Sequence, residues 1–298
     1  MNIGLVDVDG HNFPNIALMK ISAYHKAKGD TVEWCLPLAH YDIVYQSKVF
    51  DETYTKDIDW TPIADTIIKG GTGYGLDNTL PYEIEHMYPD YSIYPELTKD
   101  TAYGFLTRGC PRACDFCIVA SKEGRRSIKV ANLNEFWNGQ KKIVLLDPNL
   151  LACREHIELL EQLVESKACV DFCQGLDIRL TTEANISLLN KIKVKEVHFA
   201  WDNPKDDLRG HFERYRAFAK HKPHGGYATV YVLVNFGSTM EENLYRIYTL
   251  RELGYFPYVM VYDKPNAPKE IRHLQRWCNN YRIFKSCPRF EDYKPTKG

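Results

Sequence analysis

The sequence has no surplus of charge of either sign. Its 38 Lys and Arg stand against 39 Asp and Glu, a formal net charge of −1 over 298 residues. A general attraction to nucleic acid or to an anionic membrane is therefore not indicated, and only a local basic patch could serve such a partner. Long hydrophobic runs are missing as well. Stretches such as Val230–Val234 are strand-sized, far short of the roughly 20 residues of a membrane-spanning helix, so no membrane span is expected. The first residues, Met1-Asn2-Ile3-Gly4-Leu5-Val6-Asp7, have no basic region or long apolar core, so no secretory signal is expected. Nor is the cysteine count even. Nine thiols in a sizeable chain argue against a disulfide framework and for ligands or buried groups in a reducing, cytoplasmic setting.

What is present is a globular composition, 44% hydrophobic and 26% charged, with a length that suggests two domains at about 150 residues each. In the first segment, apolar runs at Ile3–Val6, Thr31–Trp34, Asp42–Tyr45 and Thr66–Ile68 read as buried strands. Pro14 suits the first turn of a helix carrying Ile16, Met19 and Ala23, which Gly29 stops. A small doubly wound sheet fits. Residues 88–100 lack periodicity and read as a linker. Beyond it, strands are expected at Ala102–Leu106, Lys142–Leu146, Val170–Gly175, Glu196–Trp201, Ala228–Asn235 and Tyr255–Tyr262, each followed by a helical pattern. Asn132-x-x-Glu135 and Ser238-x-x-Glu241 read as helix caps. Six such units predict an α/β chain: a Rossmann-like domain over 1–95, a partial (β/α)6 TIM-type barrel over 96–280 and a packed tail over 281–298.

The informative stretch is Thr107-Arg108-Gly109-Cys110-Pro111-Arg112-Ala113-Cys114-Asp115-Phe116-Cys117. Its C-x3-C-x2-C spacing follows the first barrel strand, with Gly109 and Pro111 supplying turn backbone. Soft thiolates select zinc, copper(I) or iron–sulfur clusters. A structural zinc needs a fourth protein ligand, and no Cys or His follows closely. A [4Fe–4S] cluster normally takes four cysteines, so three leave one iron open to a ligand.

This segment resembles the cluster loop of the radical S-adenosylmethionine (SAM) enzymes. The flanking Gly104-Phe105-Leu106-Thr107-Arg108-Gly109-Cys110-Pro111-Arg112 is similar to their cobalamin-binding and methylthiotransferase-like subgroup. The resemblance covers residues 102 to 263. It implies an enzyme in which Cys110, Cys114 and Cys117 hold three irons and the fourth chelates SAM. One electron then cleaves SAM to methionine and a 5′-deoxyadenosyl radical that takes hydrogen from a substrate. An external one-electron reductant such as flavodoxin or ferredoxin is implied as partner.

The resemblance also points to SAM contacts at the strand ends. Asp147 or Asn149 would replace the family's glycine-rich segment at the methionine amino group, although both suit a helix N-cap. Phe116 would lie by the adenine. Gln174, Asp177 and Arg179 follow the third strand, where Arg179 could pair the SAM carboxylate or simply Asp177. Asp202 falls at the ribose position and Asn235 at the adenine strand. Asp263 and Lys264 face substrate or form a turn.

In the first domain, Asp9-x-His11 resembles the D-x-H-x-x-G loop of cobalamin-binding domains, with Pro14 standing in place of the glycine. Ser47, Gly70 and Gly71 match its other loop signals, so cobalamin and methyl transfer enter as an option. The single Cys35 of this domain argues against methylthiotransfer. The basic run Lys122, Arg125, Arg126, Lys129 is a solvated loop or an anion grip. Cys169, Cys173, Cys278 and Cys287 read as ordinary thiols ahead of an auxiliary cluster. Two other classes remain open: a non-enzymatic iron–sulfur or zinc module, and a nucleic-acid-modifying enzyme.

Overall fold

The computed structural model describes residues 1–10, 12–220 and 228–295. It is a mixed α/β protein built on two parallel sheets. The first takes β1 (Asn2–Asp7), β2 (Thr31–Trp34), β3 (Tyr41–Ser47) and β4 (Ala64–Gly70) in the order β2-β1-β3-β4. Helix α1 (Ile16–Ala27) follows β1. Asn15 caps it by accepting the Leu18 N–H, so Pro14 sits just before the cap rather than in the first turn. Gly29, at φ +84°, ends it as expected. Leu18 and Ile21 pack on Ile3 and Leu5. The other face of the sheet is covered by Trp60 and Ile63 from the β3–β4 connection, which has a single 3-10 turn (Thr61–Ile63) in place of a helix.

The 88–100 segment is ordered into both lobes and does not behave as a free linker. It follows the short helix α2 (Tyr82–Glu85) and holds a 3-10 turn (Tyr91–Ile93) and helix α3 (Pro95–Thr98). Ser22 Oγ and Lys26 Nζ both donate to Asp90 Oδ2 at 2.6 Å, and the Tyr94 hydroxyl donates to Asp7 Oδ2 at 2.5 Å. On the other side, the Tyr91 hydroxyl donates to Phe136 O at 2.5 Å.

The second sheet contains β5 (Thr101–Gly104), β8 (Lys142–Leu145), β9 (Cys169–Phe172), β10 (Lys193–Ala200), β11 (Thr229–Val234) and β12 (Phe256–Val261), side by side in chain order. Between β5 and β8 lie the two-stranded hairpin β6 (Thr107–Arg108) and β7 (Ile128–Lys129), with α4 (Val119–Lys122) inside its loop. Helices α5 (His156–Ser166), α6 (Glu183–Leu189), α7 (Arg209–Phe218), α8 (Met240–Glu252) and α9 (Lys269–Asn279) follow the later strands, and α10 (Tyr281–Ser286) begins the tail. Phe290 packs on Trp277 and anchors that tail. The helix-side face of the sheet is apolar throughout: Val170, Phe172, Val197, Phe199, Val230, Val232 and Val259 are buried against α5 to α9. The opposite face carries Asp171, Glu196, His198 and Tyr231, and Phe13 of the first lobe meets Tyr103 edge-on at 5.3 Å.

Two local expectations shift. Asn132 and Glu135 do form a capping box, but on a 3-10 turn (Leu133–Glu135). Helix α8 is capped one residue later than Ser238-x-x-Glu241, by Thr239 and Glu242, each bonding the other's backbone N–H. Thr239 has the extended backbone of a cap, φ −80° and ψ 164°, so its side chain reaches the third helical N–H.

The β12 edge is closed by α9. Pro257 has no N–H, and its carbonyl accepts the Cys278 thiol at 3.2 Å. Val259 N–H donates to Asn279 Oδ1 at 2.7 Å, while its carbonyl accepts from Asn279 Nδ2 at 3.0 Å and Gln275 Nε2 at 3.3 Å.

Arg246 of α8 stitches the ends of β10 and β11 together. It is fully buried. It donates to Trp201 O (2.7 Å), Asp202 O (2.9 Å) and Leu233 O (3.0 Å), and to Asn243 Oδ1 at 2.7 Å. Burial lowers its pKa to about 10 against the pull of Asp202. Arg246→Met should leave these carbonyls without donors and cost about 3 kcal/mol or more in urea unfolding, with Arg246→Lys recovering only part. A loss under 1 kcal/mol would show that the stitch is dispensable.

Candidate functional site

The cysteine segment is a closed excursion between β6 and β7. Its base is held from beneath by Asp147, which follows β8. Leu106 N–H donates to Asp147 Oδ2 at 3.2 Å, and the Thr107 N–H and Oγ1 donate to Oδ1 at 2.5 and 2.6 Å. Glu123 pinches the loop shut: Arg108 donates to its Oε1 at 2.8 Å and Gly109 N–H to its Oε2 at 3.0 Å. Cys110 N–H donates to Gly124 O at 3.1 Å. Gly109 sits at φ +85°, and a Cβ there would lie 2.1 Å from Arg126 O, so only glycine fits. Ala113, at φ +47°, turns the chain between Cys110 and Cys114, and Cys117 N–H closes back onto Cys114 O at 2.9 Å.

The three thiols are neighbours. Burial pushes the Cys114 thiol up, the charges of Cys117, Asp202 and Cys110 add to this, and Arg179 opposes it. Their side chains are not drawn to one point: among the described residues, no group of three His, Cys, Asp or Glu side chains stands ready to hold a metal ion. Asn149 joins this group. Its side chain is 3% exposed, its Nδ2 donates to Cys110 Sγ at 3.4 Å, and its Oδ1 is buried with no hydrogen-bond partner.

The other strand-end residues fall nearby with their own commitments. Asp147, expected at an amino group, faces inward and spends its carboxylate on the three donors above. Asp177 is bracketed by Arg179 Nε (2.7 Å to Oδ1) and Arg112 Nε (2.7 Å to Oδ2), and Arg179 also bonds Asp206 at 3.0 Å. Arg179 is therefore saturated by acids of the chain itself. Burial works against the Asp177 charge, but hydrogen bonds from Arg179 and then Arg112 hold its pKa below the usual carboxylate range. Asp202 accepts Leu233 N–H at 3.1 Å, and burial raises it to about 6 against that bond and the charges of Arg246 and Arg179. Phe116 meets Phe236 edge-on at 5.6 Å. Asn235, at φ +65°, donates to Tyr262 O, and Gln174 is exposed. Asp263 and Lys264 form a turn.

Sequence reasoning missed Glu123, Asp206 and Arg246. Only Arg246 leaves a signal: with Asn243, Ile247 and Leu250 it lies on the buried stripe of α8.

The cobalamin option does not fit the first lobe. His11 lies outside the described residues. The Asp9 carboxylate, expected to orient it, accepts the N–H groups of Val49 and Phe50 at 2.7 to 3.0 Å. Ser47 Oγ accepts from Asn15 at 2.8 Å. Gly71 packs so tightly on Lys48 O that a Cβ would lie 2.2 Å from it, and Gly70 O accepts the Lys48 N–H. The buried Lys48 fills this end of the sheet, donating to Glu52 and Asp57 at 2.6 Å each and lying over the Tyr74 ring.

No family model matches the chain, and no curated protein is significantly similar to it.

Two outcomes follow. After incubation with hydroxocobalamin and gel filtration, the chain should emerge free of corrinoid, and one corrinoid per chain would show that the Lys48 strap opens. Burial raises the Asp147 pKa to about 6, so the native state keeps a proton that the unfolded chain loses near pH 4. The Asp147 contribution to stability is then greatest at acid pH and declines as pH rises through 6. From pH 4 to pH 7, wild type should lose roughly 2–3 kcal/mol relative to Asp147→Asn, read by urea titrations at each pH. A constant difference would remove the claim.

Proposed function

We propose that this chain is a radical SAM enzyme, with a partial (β/α)6 barrel as its catalytic domain and the first sheet as a Rossmann-like lobe. The observation that carries the reading is Asn149. A fully buried amide oxygen without a donor is costly, about 1–3 kcal/mol, and a cosubstrate ammonium group would relieve it. Its other end already touches Cys110 Sγ. The ligand and the cysteine would thus meet across one side chain.

The donor set suits an iron–sulfur cluster better than zinc, since three thiolates come from one loop and no fourth Cys or His joins them among the described residues. Cys110, Cys114 and Cys117 would hold it once deprotonated, and their thiols must turn inward to do so. Such a cluster, when bound, supplies one electron to the SAM sulfonium, which releases methionine and a 5′-deoxyadenosyl radical. The residues of the chain bind and orient. Asn149 would accept from the SAM ammonium. Asp202, raised toward neutrality at its buried position, would bond ribose hydroxyls. Phe116 and Phe236 would cover the adenine and keep water off the site. With Arg179 already paired, the SAM carboxylate would meet that guanidinium only as one more acceptor. No methyl transfer through cobalamin is assigned. The cytoplasm, where thiols stay reduced, suits such a protein.

Anaerobic reconstitution should give about four irons and four sulfides per chain, with 5′-deoxyadenosine formed only when dithionite is present. Cys114→Ala should abolish loading. Asn149→Leu should keep the cluster but slow SAM cleavage about tenfold or more. One zinc and no sulfide would select the metal-module reading instead.

A further inference from the structure

Positive charge surrounds Cys110 that the fold does not neutralise. The 124–127 strap lies directly on the cysteine loop through Cys110 N–H to Gly124 O and the Gly109 contact with Arg126 O. Ser127 Oγ donates to Asn149 O at 2.9 Å, which ties this strap to the 149–154 loop. The two segments carry Arg125, Arg126 and Arg154, all exposed. None of the three forms an ion pair among the described residues, whereas nearby Arg108 pairs Glu123 and Lys129 pairs Glu158. Arg112, Arg154 and His156 rim a cleft of about 460 Å³ floored by Pro111, Leu151 and Leu180. The only acid following directly is Glu155, which accepts from the Cys153 thiol at 3.2 Å.

Unpaired arginines around an apolar floor fit an acidic protein surface, and the loop they frame needs an electron from outside. We propose that this face docks an acidic electron-carrier protein, flavin- or iron–sulfur-bearing. Its carboxylates pair with Arg125, Arg126 and Arg154, and one electron passes from the reduced carrier to the cluster at Cys110, leaving the carrier oxidised by one electron. The inference rests on the cluster reading above. RNA is the competing anion, but a chain of net charge −1 offers it little surface beyond this patch.

The test compares wild type with the triple variant Arg125→Glu/Arg126→Glu/Arg154→Glu, matched in iron content and circular dichroism, using an acidic flavodoxin as carrier. Dithionite-driven SAM cleavage should be the same in both. Flavodoxin-driven cleavage should fall at least tenfold in the variant. Binding of oxidised flavodoxin, read by calorimetry, should weaken at least tenfold in the variant and also in wild type as salt rises from low to about 0.3 M, since rim charges are screened. Unchanged flavodoxin binding and turnover in the variant would overturn the proposal. So would an equal loss with both reductants, or wild type binding an RNA oligomer and not flavodoxin. Cleavage by neither reductant would remove the enzymatic reading, and the binding titration would still decide the surface.

Discussion

The candidate site hangs on one buried carboxylate. Asp147 takes the backbone of Leu106 and Thr107 into its two oxygens and so fixes where the chain leaves β5 and begins the cysteine excursion. The cost is visible in its pKa, raised to about 6 because burial outweighs the donors gathered around it. Glu123 does the complementary task from the far side, closing the loop through Arg108 and Gly109. Between these clamps the three cysteines are confined to one short stretch at the sheet's end. Asn149, two residues beyond Asp147, then falls against Cys110 because β8 ends there.

The first lobe turns ligand-shaped residues to internal use. Asp9 orders the backbone after β3, Ser47 receives Asn15, and Lys48 sits inside a cage of Glu52, Asp57 and Tyr74. Groups that would otherwise face a cofactor are satisfied by the chain itself, so the lobe needs no ligand to complete it. Its contact with the second sheet runs through Phe13 on Tyr103 and through the tyrosines of 88–100. Those tyrosines read in the sequence as an aperiodic linker because their bonds are long-range and leave no local pattern.

The same reasoning separates what the residues disclose from what they conceal. Apolar runs marked every strand of both sheets, since burial on one or both faces is written in residue type. The α8 cap was displaced by one position because Ser238 and Thr239 are both competent, and only the backbone angles choose between them. Cysteine spacing located the loop. Which acid meets which base was not legible: Arg179 joins Asp177, a local partner, but also Asp206, 27 residues away. Asp147 was placed correctly at a strand end and misjudged in direction, since sequence gives position along a strand and not which donors lie beneath it.

The closure of β12 bears on how this protein behaves in company. A sheet whose first and last strands do not pair leaves two rows of backbone groups as templates for other chains. At β12 the template is already read: a proline removes one donor, and a thiol and two side-chain amides occupy the partners beside it. An incoming strand would have to displace α9 before it gained a single ladder bond. The buried Cys278, one of the thiols left over by the cysteine loop, thereby serves colloidal stability: it helps keep crowded copies of the chain from joining edge to edge.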